Sequence, residues 1–253
     1  LDELNGLFSD RTKMVAYPHC SNVIGHINPV KAISQQALLH GAISVVDGVG
    51  YAPHGFPDLK DLGADIYLFS LYKTFGPHLG LMYVNKTLIE KMENQSHYFK
   101  EGMTRSMLTP AGPDHAQVAA ASGILDYFDL VYDHHFKDDA SPYEKNIALN
   151  DLFQTHEKSL LQRLLDFLKS RDDVQIVGPD HTEDRAPIIS IIPLKKNIKK
   201  VYTALIEQKL MLGMSNFYAV RPLIDMDIPR QPGVIRMSFL HYTSIEEIDQ
   251  LIE

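Results

Sequence analysis

Cysteine, tryptophan and long apolar runs are rare or absent in this sequence of 253 residues. Cys20 is the single cysteine, and there is no tryptophan. One cysteine excludes an internal disulfide framework and is typical of a reducing compartment, so we expect a cytoplasmic protein. The apolar runs are too short to span a bilayer, and we expect no membrane partner. The chain opens on LDELNGLF, without an initiating methionine or a signal peptide, and we expect it to begin partway along a longer protein.

Positive charge is also in short supply. Lysine and arginine number 24 against 32 aspartate and glutamate residues, which gives a formal net charge of −8 and a pI near 5.8. Binding to nucleic acid needs clustered basic side chains, so the charge argues against this class of partner, and small molecules or proteins are favoured. No tract is dominated by glycine or proline, as expected for an ordinary globular chain.

Short apolar runs alternate with helical or turn-rich stretches in the first part of the chain. This rhythm is typical of a mostly parallel sheet with helices on both faces. The predicted strands are residues 14–17, 42–46, 65–69 and 80–84. A tight turn, GPHLG, precedes the last of them and is too short for a parallel crossover, so we expect this strand to run antiparallel to 65–69.

The first long helix has clear predicted ends. Asn28 is expected to cap it, Pro29 to occupy its first position and Gly41 to end it. Its predicted buried face consists of Val30, Ile33, Ala37 and Leu38. A second long helix is predicted over 114–130.

A capping box formed by Ser141 and Glu144 predicts another long helix, which ends near Lys169. We place the domain boundary at its start, giving a large domain of residues 1–140 and a smaller α+β domain of residues 141–253. The elements predicted after this helix are strands at QIV, PIISIIP and GVIRMSFL and helices at 198–208 and 245–252. Ser244 and Glu247 are expected to cap the last helix.

Two reactive side chains follow predicted strands of the large domain. Asp47 closes the run AISVV, and Lys73 comes just after DIYLFS. Ligands of open α/β sheets gather at the carboxyl ends of the strands, so the two side chains could face one pocket. A Schiff-base lysine, with a carboxylate that keeps a pyridinium nitrogen protonated, is the arrangement that pyridoxal phosphate needs. Taken singly, Asp47 could equally be a turn residue and Lys73 a solvated loop lysine.

Other motifs are weaker. The glycines of GVG at 48–50 follow a strand as in a dinucleotide-binding site, but the third glycine is missing and Pro53 interrupts the expected helix. Asp133, His134 and His135 lack the spacing of metal ligands, so we predict no metal site. No G-x-S-x-G sequence indicates a hydrolase.

Two segments carry a family resemblance, HCSNVIGHINPVKAISQQALLHGAISVVDGVGYAPHG and GADIYLFSLYKTFGPHLGLMYV. The chain resembles the class V aminotransferases and, within them, the cysteine desulfurase-like enzymes. The similarity extends to PDHAQVAAASGILDYF and to GVIRMSFLHYTSIEEIDQLI, so it covers nearly the whole chain. It implies an α/β structure of fold type I of the pyridoxal phosphate enzymes and a homodimer with active sites at the subunit interface.

The resemblance also implies residue roles. Lys73 is the Schiff-base lysine, Asp47 is the partner of the pyridine nitrogen, and Asn22 lies near the phenolic oxygen or the substrate. Ser70 is implied to bind the phosphate, and Arg236 to receive the substrate carboxylate. An N-terminal part of the large domain, with an aromatic side chain that stacks on the pyridine ring, is implied to be missing.

The sequence departs from the family pattern at several places. Tyr72 replaces a common histidine, although its phenol can still donate to phosphate, and Gly50 replaces a common glutamine. In the segment that reaches the neighbouring subunit's phosphate, Gly112 offers only its backbone N–H, since Ala111-Gly112 replaces Gly-Thr. No cysteine precedes Arg236 in the loop that holds the desulfurase thiol, and we predict that Cys20 is a buried structural thiol.

These observations predict a pyridoxal phosphate enzyme that acts on an amino acid. Transamination, elimination, racemisation and desulfuration all remain open as its reaction. The alternative is a non-catalytic homologue, or a fragment, that keeps the fold for protein association.

Overall fold

The computed structural model describes all 253 residues, and they form two compact units. The first unit comprises Leu1–His19 and Pro29–Lys145, and the second comprises Cys20–Asn28 and Asn146–Glu253. The short segment Cys20–Asn28 therefore lies in the second unit, although the division at residues 140 and 141 assigns it to the large domain. That division stays a prediction.

The first unit is built on a four-stranded sheet in the order β1-β2-β3-β4. Its strands are β1 Met14–Pro18, β2 Ile43–Asp47, β3 Ile66–Ser70 and β4 Gly80–Val84. The first three strands are parallel and β4 is antiparallel to β3, which confirms the prediction from the short turn. All four strands form where apolar residues cluster, and each strand contains β-branched and aromatic or other large apolar side chains.

Six helices accompany this sheet. They are α1 Asp2–Asn5, α2 Val30–Leu39, α3 Leu59–Leu62, α4 Lys86–Ile89, α5 His115–Ala120 and α6 Gly123–His135. Three single turns of 3₁₀ helix occur at Ala52–His54, Leu71–Lys73 and Tyr98–Lys100.

Helix α2 differs from the prediction at two positions. Pro29, and not Asn28, is its N-cap residue, and no side chain caps the helix. Its buried residues are Val30, Ile33, Ser34 and Ala37, whereas Leu38 is 75% exposed. At 100° per residue, Leu38 points beyond the edge of the stripe that the other four positions form, so Ser34 takes its place.

The helix predicted over 114–130 is two helices, α5 and α6. The break falls at Ser122, whose hydroxyl donates to the Ala119 carbonyl at 3.0 Å, and the next residue is Gly123. A serine hydroxyl that bonds to the backbone and a glycine both weaken a continuous helix. Asp114 caps α5, with its side chain accepting from the Gln117 N–H.

The second unit contains an antiparallel sheet in the order β5-β6-β8-β7. Its strands are β5 Val174–Val177, β6 Ile188–Pro193, β7 Gly213–Ser215 and β8 Val234–Ser238. The later helices are α7 Pro142–Lys169, α8 Ile198–Glu207, α9 Val220–Asp225 and α10 Ile245–Ile252. The short elements β7 and α9 were not predicted. The capping interactions of Ser141 with Glu144 and of Ser244 with Glu247 are both present.

Leucines of α7 form the core of this second unit. Leu161, Leu165 and Leu168 recur at helical spacing and pack with buried residues of β6 and β8 such as Ile189 and Ile235. None of the helices has both the length and the apolar character needed to cross a membrane.

Replacement of Leu165 by alanine tests this core. Leu165 has no exposed surface, so the truncation should leave a cavity and lower the free energy of unfolding by about 2–5 kcal/mol. Leu194→Ala is the matched control, because Leu194 is 59% exposed and should change stability by no more than about 0.5 kcal/mol. Urea unfolding of the two variants measures the difference, and equal effects would contradict the proposed core.

Candidate functional site

The carboxyl edge of the first sheet collects several polar side chains. Asp47 ends β2 and lies opposite Leu68 in the register of β2 and β3. Strand β3 continues for two more residues to Ser70, and the following 3₁₀ turn ends at Lys73. Because β2 and β3 are adjacent and parallel, Asp47, Ser70 and Lys73 lie at the same edge.

The Asp47 side chain is exposed and takes part in no ion pair. Its Oδ1 accepts one hydrogen bond, from the Val49 N–H at 2.9 Å. The next residue, Gly48, passes directly over a tyrosine, since a Cβ atom there would lie 2.1 Å from a ring carbon of Tyr67. Glycine at this position therefore lets the chain pass close to the Tyr67 ring directly after the carboxylate.

Lys73 is exposed and its amine forms no ion pair. Its Nζ lies 5.9 Å from the centroid of the Tyr72 ring. Backbone bonds hold the turn, as the Leu71 N–H donates to the Leu79 carbonyl and the Gly76 N–H to the Leu71 carbonyl, each at 2.8 Å. The lysine thus extends from a fixed turn with its amine accessible.

Two hydroxyl groups lie close to Lys73 in the sequence. The Tyr72 ring is 47% exposed and stacks on His78, with 4.5 Å between the ring centroids. Ser70 is partly buried and pairs through its backbone with Gly80. Neither hydroxyl is engaged in a hydrogen bond, so both can donate to an anion.

His19 is a residue at this edge that the sequence reasoning missed. It directly follows β1, is buried, and its backbone N–H donates to the Asp47 carbonyl at 2.7 Å. Its Nδ1 lies 2.7 Å from the Tyr67 hydroxyl, and its ring stacks on Tyr51 with 3.8 Å between centroids. Burial lowers the pKa of His19 to about 4, so the ring is neutral near pH 7. The sequence signal that could have identified His19 was its position directly after a predicted strand that neighbours the strand of Asp47.

The second unit contains a separate group of candidate residues. Arg236 lies in β8 and is partly buried, and its Nη1 donates to the backbone carbonyl of Asn22 at 2.7 Å. The Asn22 side chain donates from Nδ2 to the Phe217 carbonyl at 2.8 Å. The guanidinium carbon of Arg236 lies 3.9 Å from the centroid of the Phe217 ring. No carboxylate pairs with Arg236, and burial lowers the pKa of its guanidinium.

The two predicted glycine contacts lie in loops of the first unit. Gly50 is in the turn after Asp47, where the Tyr51 N–H donates to the Gly48 carbonyl at 3.0 Å. Gly112 is exposed, and a Cβ atom there would meet nothing within 4 Å. Their backbone N–H groups stay predicted cofactor contacts.

Cys20 is buried, which confirms the expected structural thiol. Only 2% of its surface is exposed, and its thiol lies 3.4 Å from the Gly25 carbonyl. Burial raises the pKa of Cys20 to about 12, so almost no thiolate is present near pH 7. A nucleophilic role needs an accessible thiolate, and this setting does not supply one.

Comparison with known proteins identifies the class. The family model "Aminotransferase class-V" matches residues 1–108 and 140–251, and the chain belongs to this family. The family, which includes the cysteine desulfurases, is pyridoxal phosphate-dependent. The aminotransferase-like protein FGM3 of Gibberella zeae is 33% identical over 99% of this chain and 60% of its own length. The cysteine desulfurase-like protein ustD of Aspergillus flavus is 28% identical over 98% of this chain and 54% of its own length.

The fold matches solved structures as well. The cysteine desulfurase CsdA from Escherichia coli superposes with a TM-score of 0.80 at 22% identity, over 99% of this chain and 60% of CsdA. This confirms the predicted α/β class and fold type I of the pyridoxal phosphate enzymes. The chain spans about 54–60% of the length of these relatives.

The neutral state of His19 predicts a pH dependence of stability. The ordinary pKa of histidine is 6.5, and that of buried His19 is about 4, so between these values the unfolded chain binds the proton and the folded chain does not. The stability that His19 contributes is therefore complete above pH 6.5 and is lost as the pH falls toward 4, at about 1.4 kcal/mol per pH unit.

His19→Gln should remove this part of the pH dependence, whereas His134→Gln, at an exposed position on α6, should leave it unchanged. Urea unfolding at a series of pH values from 7 to 4 measures both. A His19→Gln curve parallel to that of the unsubstituted protein would show that His19 is not buried in the neutral form.

Proposed function

We propose that this chain forms part of a pyridoxal phosphate-dependent enzyme that acts on an amino acid. The strongest support for this is that Asp47 and Lys73 lie at the same edge of one sheet. Both side chains are exposed, and neither takes part in an ion pair. Ligands of open α/β sheets bind at the carboxyl ends of the strands, so an exposed amine and an exposed carboxylate on adjacent parallel strands are placed to bind one ligand.

The residues present fit this cofactor. The Lys73 amine would hold the aldehyde carbon covalently, and the Asp47 carboxylate would hold a proton at the pyridine nitrogen. The unengaged hydroxyls of Ser70 and Tyr72 are donors of the kind that phosphate needs. We assign the remaining contacts, Asn22 and the backbone at Gly50, by the family resemblance.

The cofactor and the side chains of this protein would supply different parts of the reaction. When bound, pyridoxal phosphate supplies a sink for the electron pair left at the substrate α-carbon. The Lys73 amine would accept the α-proton of the substrate and return it. The Asp47 carboxylate would keep the pyridine nitrogen protonated. The backbone N–H of His19 supports the turn that presents Asp47, since it donates to the Asp47 carbonyl.

Arg236 is our candidate for binding the substrate carboxylate. Its guanidinium donates once within the protein, to Asn22, and has no carboxylate partner. A partly buried guanidinium favours a carboxylate ligand that accepts two parallel hydrogen bonds. This role makes amino acids the expected substrates.

We further propose that the protein is a homodimer in which the Gly112 N–H serves the site of the neighbouring subunit. Desulfuration through a thiol of this chain is not part of the proposal. The loop between β7 and β8 contains no cysteine, and the buried Cys20 has a pKa of about 12. Transamination, elimination and racemisation share the steps assigned to Lys73 and Asp47.

Lys73→Ala in the full-length protein should abolish the absorbance band of the lysine-bound cofactor. The reason is that Lys73 is the amine placed at the sheet edge beside Asp47. The matched control is Lys91→Ala, an exposed lysine of the same unit, which should keep the band and its sensitivity to borohydride. Retention of the band by Lys73→Ala would reject the assignment.

Arg236→Lys should raise the KM for an amino acid substrate by at least about tenfold, with a smaller effect on kcat, because an ammonium cannot form the paired hydrogen bonds. Arg221→Lys, an exposed arginine on α9, is the control and should leave KM unchanged. Steady-state kinetics of the full-length enzyme decide the point, and an unchanged KM in Arg236→Lys is the contradicting result.

A further inference from the structure

The loop after β7 has an unusual backbone. Phe217 and Tyr218 are consecutive residues with positive φ angles, 49° and 63°. Side chains other than glycine rarely adopt this left-handed region, and two in a row cost conformational energy. Such strain persists only where surrounding contacts hold it.

Several contacts hold this loop in place. The Asn22 amide donates to the Phe217 carbonyl at 2.8 Å, and the Asn216 side chain accepts from the Tyr218 N–H at 3.0 Å. Asn216 also donates to the Arg230 carbonyl at 3.2 Å. Directly before β8, a Cβ atom at Gly233 would lie 2.3 Å from the Ser215 carbonyl oxygen, so only glycine permits this close approach.

This arrangement places the Phe217 ring against the Arg236 guanidinium. The Phe217 ring centroid is 3.9 Å from the guanidinium carbon of Arg236, well inside the range of a cation–π contact. The guanidinium carbon lies over the Phe217 ring, and the N–H groups of the guanidinium donate in its own plane. One of these N–H groups is held by the Asn22 carbonyl, and the others donate to no protein atom.

We propose that Phe217 is a positioning residue for carboxylate recognition: its ring fixes the plane of the Arg236 guanidinium so that the free N–H groups face an incoming carboxylate. This inference rests on the proposed function. Asn22 serves the same purpose twice, since its backbone holds Arg236 and its side chain holds Phe217.

Ordinary packing is the competing explanation of the Phe217 ring. Phe217 packs against a small apolar cluster that includes Val23, Leu223 and Val234. A leucine would retain apolar contact with this cluster but has no π face for the guanidinium. Phe217→Leu therefore separates packing from the cation–π contact, and Phe217→Tyr retains both.

The test uses the full-length protein loaded with pyridoxal phosphate and two probes, L-alanine and ethylamine. They share an amine that can replace Lys73 on the cofactor, but only alanine has a carboxylate. The half-saturating concentration of each is read from the change in cofactor absorbance. The ratio of the two concentrations measures how strongly the site recognises the carboxylate.

Phe217→Leu should weaken alanine binding by roughly tenfold and leave ethylamine binding and cofactor content unchanged. Phe217→Tyr should keep the original ratio. Tyr218→Leu is the matched control, because Tyr218 is the neighbouring ring in the same loop, is 99% exposed and should not affect the ratio.

Three results would overturn the inference. The first is an unchanged ratio of the two half-saturating concentrations in Phe217→Leu, and the second is an equal weakening of alanine and ethylamine binding in that variant. The third is weakened alanine binding relative to ethylamine in Phe217→Tyr. Each would leave the proposed function intact, provided that the unsubstituted protein shows the lysine-bound cofactor. An unsubstituted protein that takes up no cofactor would instead overturn the proposed function and this inference with it.

Discussion

The parallel register of β2 with β3 is the constraint on which the candidate site depends. It sets Asp47 opposite Leu68, so the strand that carries the carboxylate ends beside the strand that leads to Lys73. A slip of one residue would turn the side chains of β2 to opposite faces and remove Asp47 from its position. Buried Val46 in β2 and Tyr67 in β3 oppose such a slip, because both would have to leave the core.

Each of the two units contains candidate site residues whose charged groups form no ion pair within the protein. Asp47 and Lys73 take part in no ion pair, and Arg236 has no carboxylate partner although burial lowers its pKa. Some other surface charges are paired, as in Lys145 with Asp129 at 2.7 Å. A partly buried charge without an ionic partner is costly, and the placement of these groups at a sheet edge and beside a strained loop is typical of ligand-binding groups.

Local patterns made much of the fold predictable. Strand positions, the antiparallel β4 and both capping boxes depend on residues close together in the sequence, and they were confirmed. The exposure of Leu38 and the break at Ser122 were not predicted. They depend on which face of a helix meets the sheet and on a single side-chain hydrogen bond.

The candidate site, like the fold, was predictable only in part from local sequence. Asp47 and Lys73 could be found as polar residues after apolar strands. His19 offered only its place at a strand end as a signal, and Phe217 offered none. Their contacts join residues distant in sequence: His19 contacts Tyr67, and Phe217 contacts Arg236 and Asn22. The position of Cys20–Asn28 in the second unit is likewise a consequence of long-range contacts that no local pattern reveals.

The most direct measurement is to map the cofactor on the unsubstituted protein. The full-length protein would be incubated with pyridoxal phosphate, reduced with borohydride and digested, and its peptides analysed by mass spectrometry. We predict one modified peptide at stoichiometric yield, with the pyridoxyl group on Lys73. Modification concentrated on a different lysine, or spread over many exposed lysines without preference, would contradict the assignment of this sheet edge as a cofactor site.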